Sequence, residues 1–210
     1  MIAMNAFAPR LKIVILAAGF SSRLGWPKAL ARVHGTSLLQ RTARLAAALR
    51  PARIIVVVPP ACARYRAEAR HRTVTWARNP HRGRGLSSSV RCGLKHSGYC
   101  SAVLLLPVDL PALKLRDLKG LVSRWRGAPG RVFATRLASR TVTHGGAPLI
   151  LPARLFPRAL RIQGDVGLRG LLADLPGAQR ALVDLPSARI DVDTMEDLAA
   201  ARRRWTSRVY

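Results

Sequence analysis

LAAGFSSRLGWPKAL, residues 16–30, is the stretch around which the chain is organised. It directly follows the apolar run Lys12–Leu16, which is typical of a buried β-strand, so the stretch is predicted to form the loop at the carboxyl end of that strand. Its two glycines let backbone N–H groups approach a bound anion without a Cβ in the way. Arg23 and Lys28 bring two cations to the same loop. Together these features predict a binding loop for a phosphate chain.

Two common phosphate-binding patterns do not fit this loop. No G-x-x-x-x-G-K-[ST] can be laid on it, and it is not the G-x-G-x-x-G fingerprint of dinucleotide-binding folds. The alternative is a strand followed by an ordinary glycine-containing turn, since surface cations are common in so basic a chain.

An acidic residue, Asp109, lies within the stretch LLLPVDLP, residues 104–111. It follows the apolar run Val103–Leu106, and open α/β sheets place their ligand crevice at the carboxyl ends of such strands. Mg²⁺ in proteins takes one or two carboxylates together with nucleotide phosphates, so Asp109 is a candidate metal ligand. The alternative is an aspartate that caps the next turn.

A third stretch, NPHRGRGLSSSVRCGL, covers residues 79–94. Asn79 begins a turn, Gly85 keeps the loop open, and the serines offer hydroxyl and N–H groups at the start of a predicted helix. This arrangement is typical of a site for a phosphate or a ribose. The alternative is an ordinary serine-capped helix. G-L-S-S-S is not the G-x-S-x-G of hydrolases, so no serine nucleophile is indicated. The serines are Ser87, Ser88 and Ser89.

Strands and helices alternate through the first half of the chain. Thr36 or Ser37 is expected to cap a helix that ends before Pro51, and the β-branched run Ile54–Val58 is typical of a parallel strand covered on both faces. We therefore predict a three-layer α/β fold with a mostly parallel sheet. Further predicted elements are helices over 61–70, 113–125, 155–160 and 166–175, a helix starting at 87–89, strands at 74–77, 132–135 and 141–143, and a last helix opened by Thr194 and Asp197. No linker or repeat is evident, so residues 1–210 are predicted to be one domain with its core over about 11–205.

In their order along the chain these motifs resemble those of the MobA-like nucleotidyltransferases, and most of all those of the molybdenum cofactor cytidylyltransferases. The first loop matches L-A-A-G-x-S-x-R-[ML]-G-x-x-K, and the Asp109 stretch matches L-x-x-D-x-P. Residues 79–94 are similar to N-P-x(4)-G-[ML]-x-x-S-[LIV]-x-x-G-L. Near the end, Gly164–Gly167, with Arg169 after it, and Asp191–Thr194 resemble G-D-x-G-x-R and D-I-D-T-P-E-D-L. The resemblance spans roughly residues 11–200.

The resemblance implies a Rossmann-like (GT-A-like) nucleotidyltransferase fold and a Mg²⁺-dependent transfer of CMP from CTP to molybdopterin. It implies that Asp109 holds the metal and that Arg23, Lys28 and Asp109 act in catalysis. Asp193 is the candidate for a second metal ligand and Asp165 a weaker one, although either could instead cap a helix. The preference for CTP rests on Ala18, where relatives that use GTP tend to carry glycine. A Cβ there would narrow the room for a purine. The implied nucleotide-binding residues are Leu16, Ala17, Ala18, Gly19, Ser21, Arg23, Lys28, Asn79, Gly85, Ser87, Ser88 and Ser89.

Two alternative activities remain open, and two positions differ from the family's motifs. The alternatives are transfer to a sugar 1-phosphate or another phosphometabolite, and a nucleotide- or cofactor-binding protein without catalysis. A molybdoenzyme is a candidate partner. Ala147 stands before Pro148 where relatives usually carry His or Asn, so contacts with the acceptor there are in doubt. Met195 replaces the usual proline, which the start of a helix tolerates.

The composition bounds the remaining classes of function. The net charge is +26, but 31 of the 36 basic residues are arginines spread over every segment. The densest clusters lack the interleaved aromatic residues that stack bases, so we do not expect specific nucleic-acid binding. Three cysteines without a C-x-x-C indicate neither a disulfide framework nor a thiolate metal site. With no apolar run long enough for a membrane span and no signal-peptide pattern, the expected location is the cytoplasm.

Overall fold

The structure is a computed structural model that describes residues 10–69, 73–138, 143–164 and 167–204. Its strands are β1 (Leu11–Leu16), β2 (Arg32–Val33), β3 (Thr36–Ser37), β4 (Arg53–Val58), β5 (Val74–Arg78), β6 (Ala102–Pro107), β7 (Val132–Ala138), β8 (Thr143–Pro152) and β9 (Arg180–Val183). Its α-helices are α1 (Leu38–Ala48), α2 (Ala63–Glu68), α3 (Leu86–Ser97), α4 (Leu115–Gly127), α5 (Phe156–Ala159), α6 (Gly167–Ala173) and α7 (Met195–Arg204).

Most of the strands join one mostly parallel sheet, in the order β5-β4-β1-β6-β8-β7-β9. Strands β5, β4, β1 and β6 are parallel to one another. Strand β8 is antiparallel to both β6 and β7, and β9 is again parallel to β7. The reversal of β8 leaves the other six strands of the sheet pointing in one direction. The predicted α/β architecture is confirmed.

The two faces of the sheet carry separate apolar cores. On β1, Ile13 and Ile15 belong to the core that α1 and α4 cover, whereas Val14 and Leu16 belong to the core that α3, α5 and α6 cover. Successive side chains of a strand point to opposite faces, so a strand buried on both faces reads as a continuous apolar run. Helices on both faces of the sheet give the three predicted layers.

A third, smaller apolar cluster ties the first loop to the end of the chain. It consists of Leu24, Ala31, Val33, Leu38, Val192, Leu198 and Ala201. Leu24 belongs to the loop after β1, and Leu198 and Ala201 belong to α7. This contact brings the residues just before α7 beside the loop.

The elements of the first half agree with the predictions to within a few residues. Ser37 caps α1, and its Oγ accepts a hydrogen bond of 3.0 Å from the Gln40 N–H. The predicted helix over 61–70 is shorter in the structure, where residue 70 lies outside the described ranges. The expected start of α3 at the serines was wrong, because the helix begins at Leu86 with Gly85 as its N-cap. Gly85 has a φ of +78°, which a glycine adopts without strain.

The second half departs further from the predictions. The helix predicted over 113–125 lies two residues later, as α4. Strand β8 runs for ten residues, although only its first residue fell in the predicted strand 141–143, whose other two residues lie outside the described part. Strand β9 was not predicted.

No helix among the described residues is long and apolar enough to cross a membrane. The single-domain interpretation stays a prediction.

Candidate functional site

A cleft of about 230 Å³ opens at the carboxyl ends of β1 and β6. Parallel strands bring their carboxyl ends to one edge of a sheet, and this edge carries the ligand site in open α/β folds. The cleft is lined by Leu16, Ala17, Gly19, Ser21, Ser22, Arg23, Lys28, Ala29, Leu86, Pro107, Val108, Asp109 and Asp193.

Two carboxylates and two cations meet in this cleft. The Lys28 Nζ lies 3.2 Å from Asp109 Oδ2 and 2.5 Å from Asp193 Oδ1. Arg23 Nη1 lies 3.4 Å from the other carboxylate oxygen of Asp193. The side chains of Lys28, Asp109 and Asp193 are 15%, 26% and 33% exposed, whereas that of Arg23 is 73% exposed. Arg23 is therefore the exposed member of the cluster and Lys28 the enclosed one.

The fold of the loop fixes the start of the Lys28 side chain. The Ser21 hydroxyl accepts a hydrogen bond of 3.0 Å from the Lys28 N–H, and the Ser21 carbonyl accepts bonds from the N–H groups of Leu24 and Gly25. Ser21 and Gly25 both have positive φ angles, +55° and +78°. A left-handed serine is uncommon, and here the bonds it accepts from three backbone N–H groups hold it. Ser21 thus shapes the loop that presents Lys28.

A separate set of hydrogen bonds positions Asp193 beside Asp109. The Val192 N–H donates to the Asp109 carbonyl over 2.9 Å, which joins the loop after β6 to the segment before α7. The Asp197 carboxylate accepts from the N–H groups of Asp193 and Thr194, and the Asp197 N–H donates to the Thr194 hydroxyl. This reciprocal pattern is a capping box at the start of α7, as predicted.

The enclosed position of the cluster shifts its ionisation equilibria. Burial lowers the pKa of the Lys28 ammonium, but the adjacent Asp109 and Asp193 carboxylates outweigh burial and leave that pKa above its ordinary value. Burial raises the pKa of Asp109, and the Lys28 ammonium opposes this shift. Lys28 therefore stays positively charged throughout the neutral range.

Exposed backbone N–H groups of the loop complete the cationic side of the cleft. Gly19, Ser22 and Arg23 are exposed, and within the described ranges their N–H groups have no hydrogen-bond acceptor. By contrast, the Ala17 N–H donates to the Val57 carbonyl over 2.9 Å and is used by the fold. Free N–H groups beside two cations favour a multiply charged anion such as a triphosphate.

Eight of the predicted site residues line the cleft and six do not. Those lining the cleft are Leu16, Ala17, Gly19, Ser21, Arg23, Lys28, Asp109 and Asp193. Those outside its lining are Ala18, Asn79, Gly85, Ser87, Ser88 and Ser89.

The polar residues of the 79–94 stretch bond to one another instead of facing the cleft. The Asn79 side-chain amide donates to the hydroxyls of Ser88 and Ser89 over 2.9 and 3.1 Å. The Asn79 side-chain oxygen accepts from the His81 N–H, and Ser87 is 2% exposed. These side chains therefore stabilise the junction between β5 and α3, and their contact with a nucleotide stays a prediction.

Ala18 also differs from its predicted position. Its residue is 0% exposed, and its methyl group packs in the core with Val14, Ala77 and Val90. The expected direct narrowing of the base pocket is therefore not supported. An influence of Ala18 on the base would have to act through the position of the loop backbone.

Sequence reasoning missed the apolar wall of the cleft. Leu86 lines it and is 41% exposed, although leucine at the first turn of a helix is ordinarily covered. On the outer rim, the Arg82 guanidinium stacks on the Phe20 ring, 4.1 Å from its centroid. A leucine directly before the predicted helix start was the available signal for Leu86. No pattern in the sequence pairs Phe20 with Arg82.

The carboxylate pair fits a hard divalent cation. Asp109 and Asp193 offer oxygen ligands, and among the described residues no group of three or more His, Cys, Asp and Glu side chains could hold a metal. Mg²⁺ characteristically takes one or two carboxylates and completes its shell with phosphate oxygens and water. The donor set is therefore suited to a cation shared with a phosphate ligand. Asp165, the weaker candidate ligand, lies outside the described residues.

Comparisons with known proteins point in the same direction. Residues 13–181 match the family model of the MobA-like NTP transferase domain. A protein of Rhodopirellula baltica described as a probable molybdenum cofactor guanylyltransferase is 31% identical over 202 residues, which cover 92% of each chain. The solved structure of Rv0371c from Mycobacterium tuberculosis has a TM-score of 0.76 at 23% identity, over 94% of this chain and 100% of that one. A structure of Rv0371c in complex with manganese has a TM-score of 0.71 at 21% identity, over 93% and 100%.

The order of the motifs, the charged cleft at the edge of a mostly parallel sheet and the match over most of the chain agree with one another. The chain belongs to the MobA-like NTP transferase family.

Proposed function

We propose that this protein transfers a nucleoside monophosphate from a nucleoside triphosphate to the terminal phosphate of molybdopterin. The observation that carries the proposal is the convergence of Arg23, Lys28, Asp109 and Asp193 in one cleft. The molybdopterin acceptor is supported by the relative described as a probable molybdenum cofactor guanylyltransferase.

In the proposed reaction an oxygen of the acceptor phosphate attacks the α-phosphorus of the triphosphate. A new P–O bond forms, the bond from the α-phosphorus to the bridging oxygen breaks, and pyrophosphate leaves with that electron pair. The attacking oxygen is already anionic, so no general base is needed. Catalysis then depends on positioning and on neutralising charge.

The residues of the cleft suit those two tasks. Arg23 and Lys28 would bind the triphosphate and the departing pyrophosphate, and the free N–H groups of Gly19 and Ser22 would hold a phosphate oxygen. Asp109 and Asp193 would hold Mg²⁺, which neutralises charge on the phosphate oxygens when bound. A manganese complex of the structurally similar Rv0371c is in keeping with a divalent cation in this fold.

Two bases have support, from different observations. Ala18 favours CTP by resemblance to the cytidylyltransferases, whereas the Rhodopirellula baltica relative is described as a guanylyltransferase. We propose CTP as the preferred substrate and GTP as the second candidate.

The decisive experiment offers CTP, GTP, UTP and ATP with Mg²⁺, each against molybdopterin and a panel of sugar 1-phosphates, and measures pyrophosphate release. The proposal expects release with molybdopterin only, and faster release with CTP than with GTP. Faster release with GTP would reverse the choice of base. Release with a sugar 1-phosphate would overturn the acceptor, and tight nucleotide binding without any release would indicate a non-catalytic binder.

A further inference from the structure

Lys28 occupies the place between the two carboxylates that would otherwise hold a metal ion. Its Nζ contacts one oxygen of Asp109 and one of Asp193, at 3.2 and 2.5 Å. Arg23 lies beside the second oxygen of Asp193. Two carboxylates thus face two cations, and the formal charges of these four side chains sum to zero, although the charge of Asp191 also acts on Asp109.

Because of these paired charges, neither a divalent cation nor a triphosphate is expected to bind well by itself. A divalent cation that enters alone must compete with the Lys28 ammonium for the same carboxylate oxygens, and like charges repel strongly in a partly enclosed site. A triphosphate that enters alone brings negative charge towards Asp109 and Asp193. When both enter together, the phosphate oxygens would attract the Lys28 ammonium, which would leave Asp109 and Asp193 available to hold the cation.

The number of protein ligands points to the same conclusion independently. The described residues supply two carboxylates here and no larger metal-binding group. Mg²⁺ bound by so few protein ligands relies on phosphate oxygens and water for the rest of its shell. A metal without a triphosphate would be weakly held even if Lys28 were absent from the pair.

The anchoring of Lys28 allows its side chain to change partners without refolding the loop. Its backbone N–H is bonded to the Ser21 hydroxyl, and the next residue, Ala29, is 2% exposed. The flexible four-carbon stem can therefore swing while its Cα stays in place.

We infer that Lys28 makes metal binding conditional on the triphosphate, so that the cation and the nucleotide are taken up as one complex. This inference rests on the proposed function for the identity of the anion. Lys28 thereby has two roles. Before the reaction its ammonium offsets the negative charge of Asp109 and Asp193, and during the reaction it contacts phosphate, as proposed above.

The test measures binding of Mn²⁺ alone, by electron paramagnetic resonance, to the wild-type chain and to K28M. The inference expects K28M to bind Mn²⁺ at least tenfold more tightly than the wild type. K28R, which keeps a cation in the pair, and K119M, which removes an exposed lysine of α4, should both bind Mn²⁺ as the wild type does. Adding the substitution D109N to K28M should remove the gain and so locate it at this pair.

Equal or weaker Mn²⁺ binding by K28M would overturn the inference, and so would equally tight binding by K28R. Thermal melting of each variant checks that the fold is retained. Since the measurement contains no nucleotide and no acceptor, it stays informative if the transfer reaction itself is not found. Conversely, a confirmed transfer reaction with unchanged Mn²⁺ binding in K28M would reject the inference alone.

Discussion

At the scale of single residues, the cleft depends on a carboxylate that the fold does not otherwise need. Asp109 bonds to Lys28 through its side chain, while its carbonyl accepts the hydrogen bond from Val192. The D109N substitution keeps the carbonyl and nearly the same shape but removes the negative charge. We expect D109N to fold normally. Its rate of pyrophosphate release should be lower than that of the wild type by about a hundredfold or more.

Steady-state kinetics at saturating Mg²⁺ checks this prediction. D174N is the matched control, because the Asp174 side chain is exposed and, in the described part of the chain, is paired with Arg158 over 3.8 Å. Turnover by D109N close to that of D174N would rule out the role proposed for Asp109.

Sequence reasoning at this scale found the charged residues of the cleft but not their arrangement. The ends of predicted parallel strands placed the phosphate loop and Asp109 at one edge, and the resemblance supplied Asp193. The position of Lys28 between the carboxylates depends on the hydrogen bond of Val192 with Asp109 and on the cluster around Leu24. Such contacts join residues far apart in the chain and leave no periodic pattern to read.

At the scale of elements, α3 packs so closely against β1 that there is no room for a side chain at Gly93. A Cβ on Gly93 would lie 2.3 Å from a methyl group of Val14 and 3.2 Å from one of Val57. We expect G93A to lower the free energy of unfolding by about 1–3 kcal/mol through overpacking. Urea denaturation measures the change.

A second helix glycine provides the control for that substitution. A Cβ on Gly170, within α6, would meet no atom within 4 Å. There alanine should leave stability unchanged or raise it by about 0.5–1 kcal/mol, because glycine is a poor helix former. A stability loss of equal size in G93A and G170A would show that the contact with Val14 is not the cause of the loss in G93A.

The capping box of α7 makes the stability of this element depend on pH. The Thr194 hydroxyl and the N–H groups of Asp193 and Thr194 hold the pKa of Asp197 below its ordinary value of 3.8. The native chain therefore binds fewer protons here than the unfolded chain does. The ionised Asp197 carboxylate therefore contributes to the free energy of unfolding. This contribution is complete above pH 4 and is lost as the pH falls through the lowered native pKa.

Comparing the melting temperatures of the wild type and D197N between pH 6 and pH 3 tests this prediction. D197N should melt lower than the wild type at pH 6, and the difference should shrink towards pH 3. E196Q removes an exposed carboxylate from the same turn and should follow the wild-type curve. A difference between wild type and D197N that grows on acidification would contradict the prediction.

At this scale the predictability of the chain changes near Pro111. Before it, continuous apolar runs and helix-capping residues mark most elements, although the short strands β2 and β3 were not predicted and α3 begins one residue earlier than expected. After it, β8 begins with Thr143, His144, Gly145 and Gly146, which carry no strand pattern. A Cβ on Gly146 would lie 2.2 Å from a methyl group of Leu137, so this glycine serves close packing between β7 and β8.

At the scale of the whole molecule, the charge is both large and unevenly distributed. Nine of the ten acidic residues follow residue 100, and the remaining one, Glu68, pairs with Arg32. We expect duplex DNA to bind through phosphate contacts alone. The affinity should differ by no more than about twofold between unrelated sequences and fall at least about a hundredfold between 50 and 200 mM salt.

Fluorescence anisotropy with two labelled duplexes of unrelated sequence measures both quantities. A duplex bound tightly in a sequence-dependent way at 200 mM salt would contradict the expectation and reopen nucleic acid as a specific ligand.

The reversed direction of β8 has a consequence for how such a protein can change. Since Leu149 pairs with Leu105 and Pro152 with Ala102, the first residues of β8 are delivered to the edge of the sheet where β6 ends. The hairpin of β7 and β8 thus reaches the same edge of the sheet as the cleft, and it is separate from β1, the strand that precedes the phosphate loop. Under the proposed function, exchanging that hairpin alone could change which acceptor is used. The residues proposed to bind the triphosphate would stay the same.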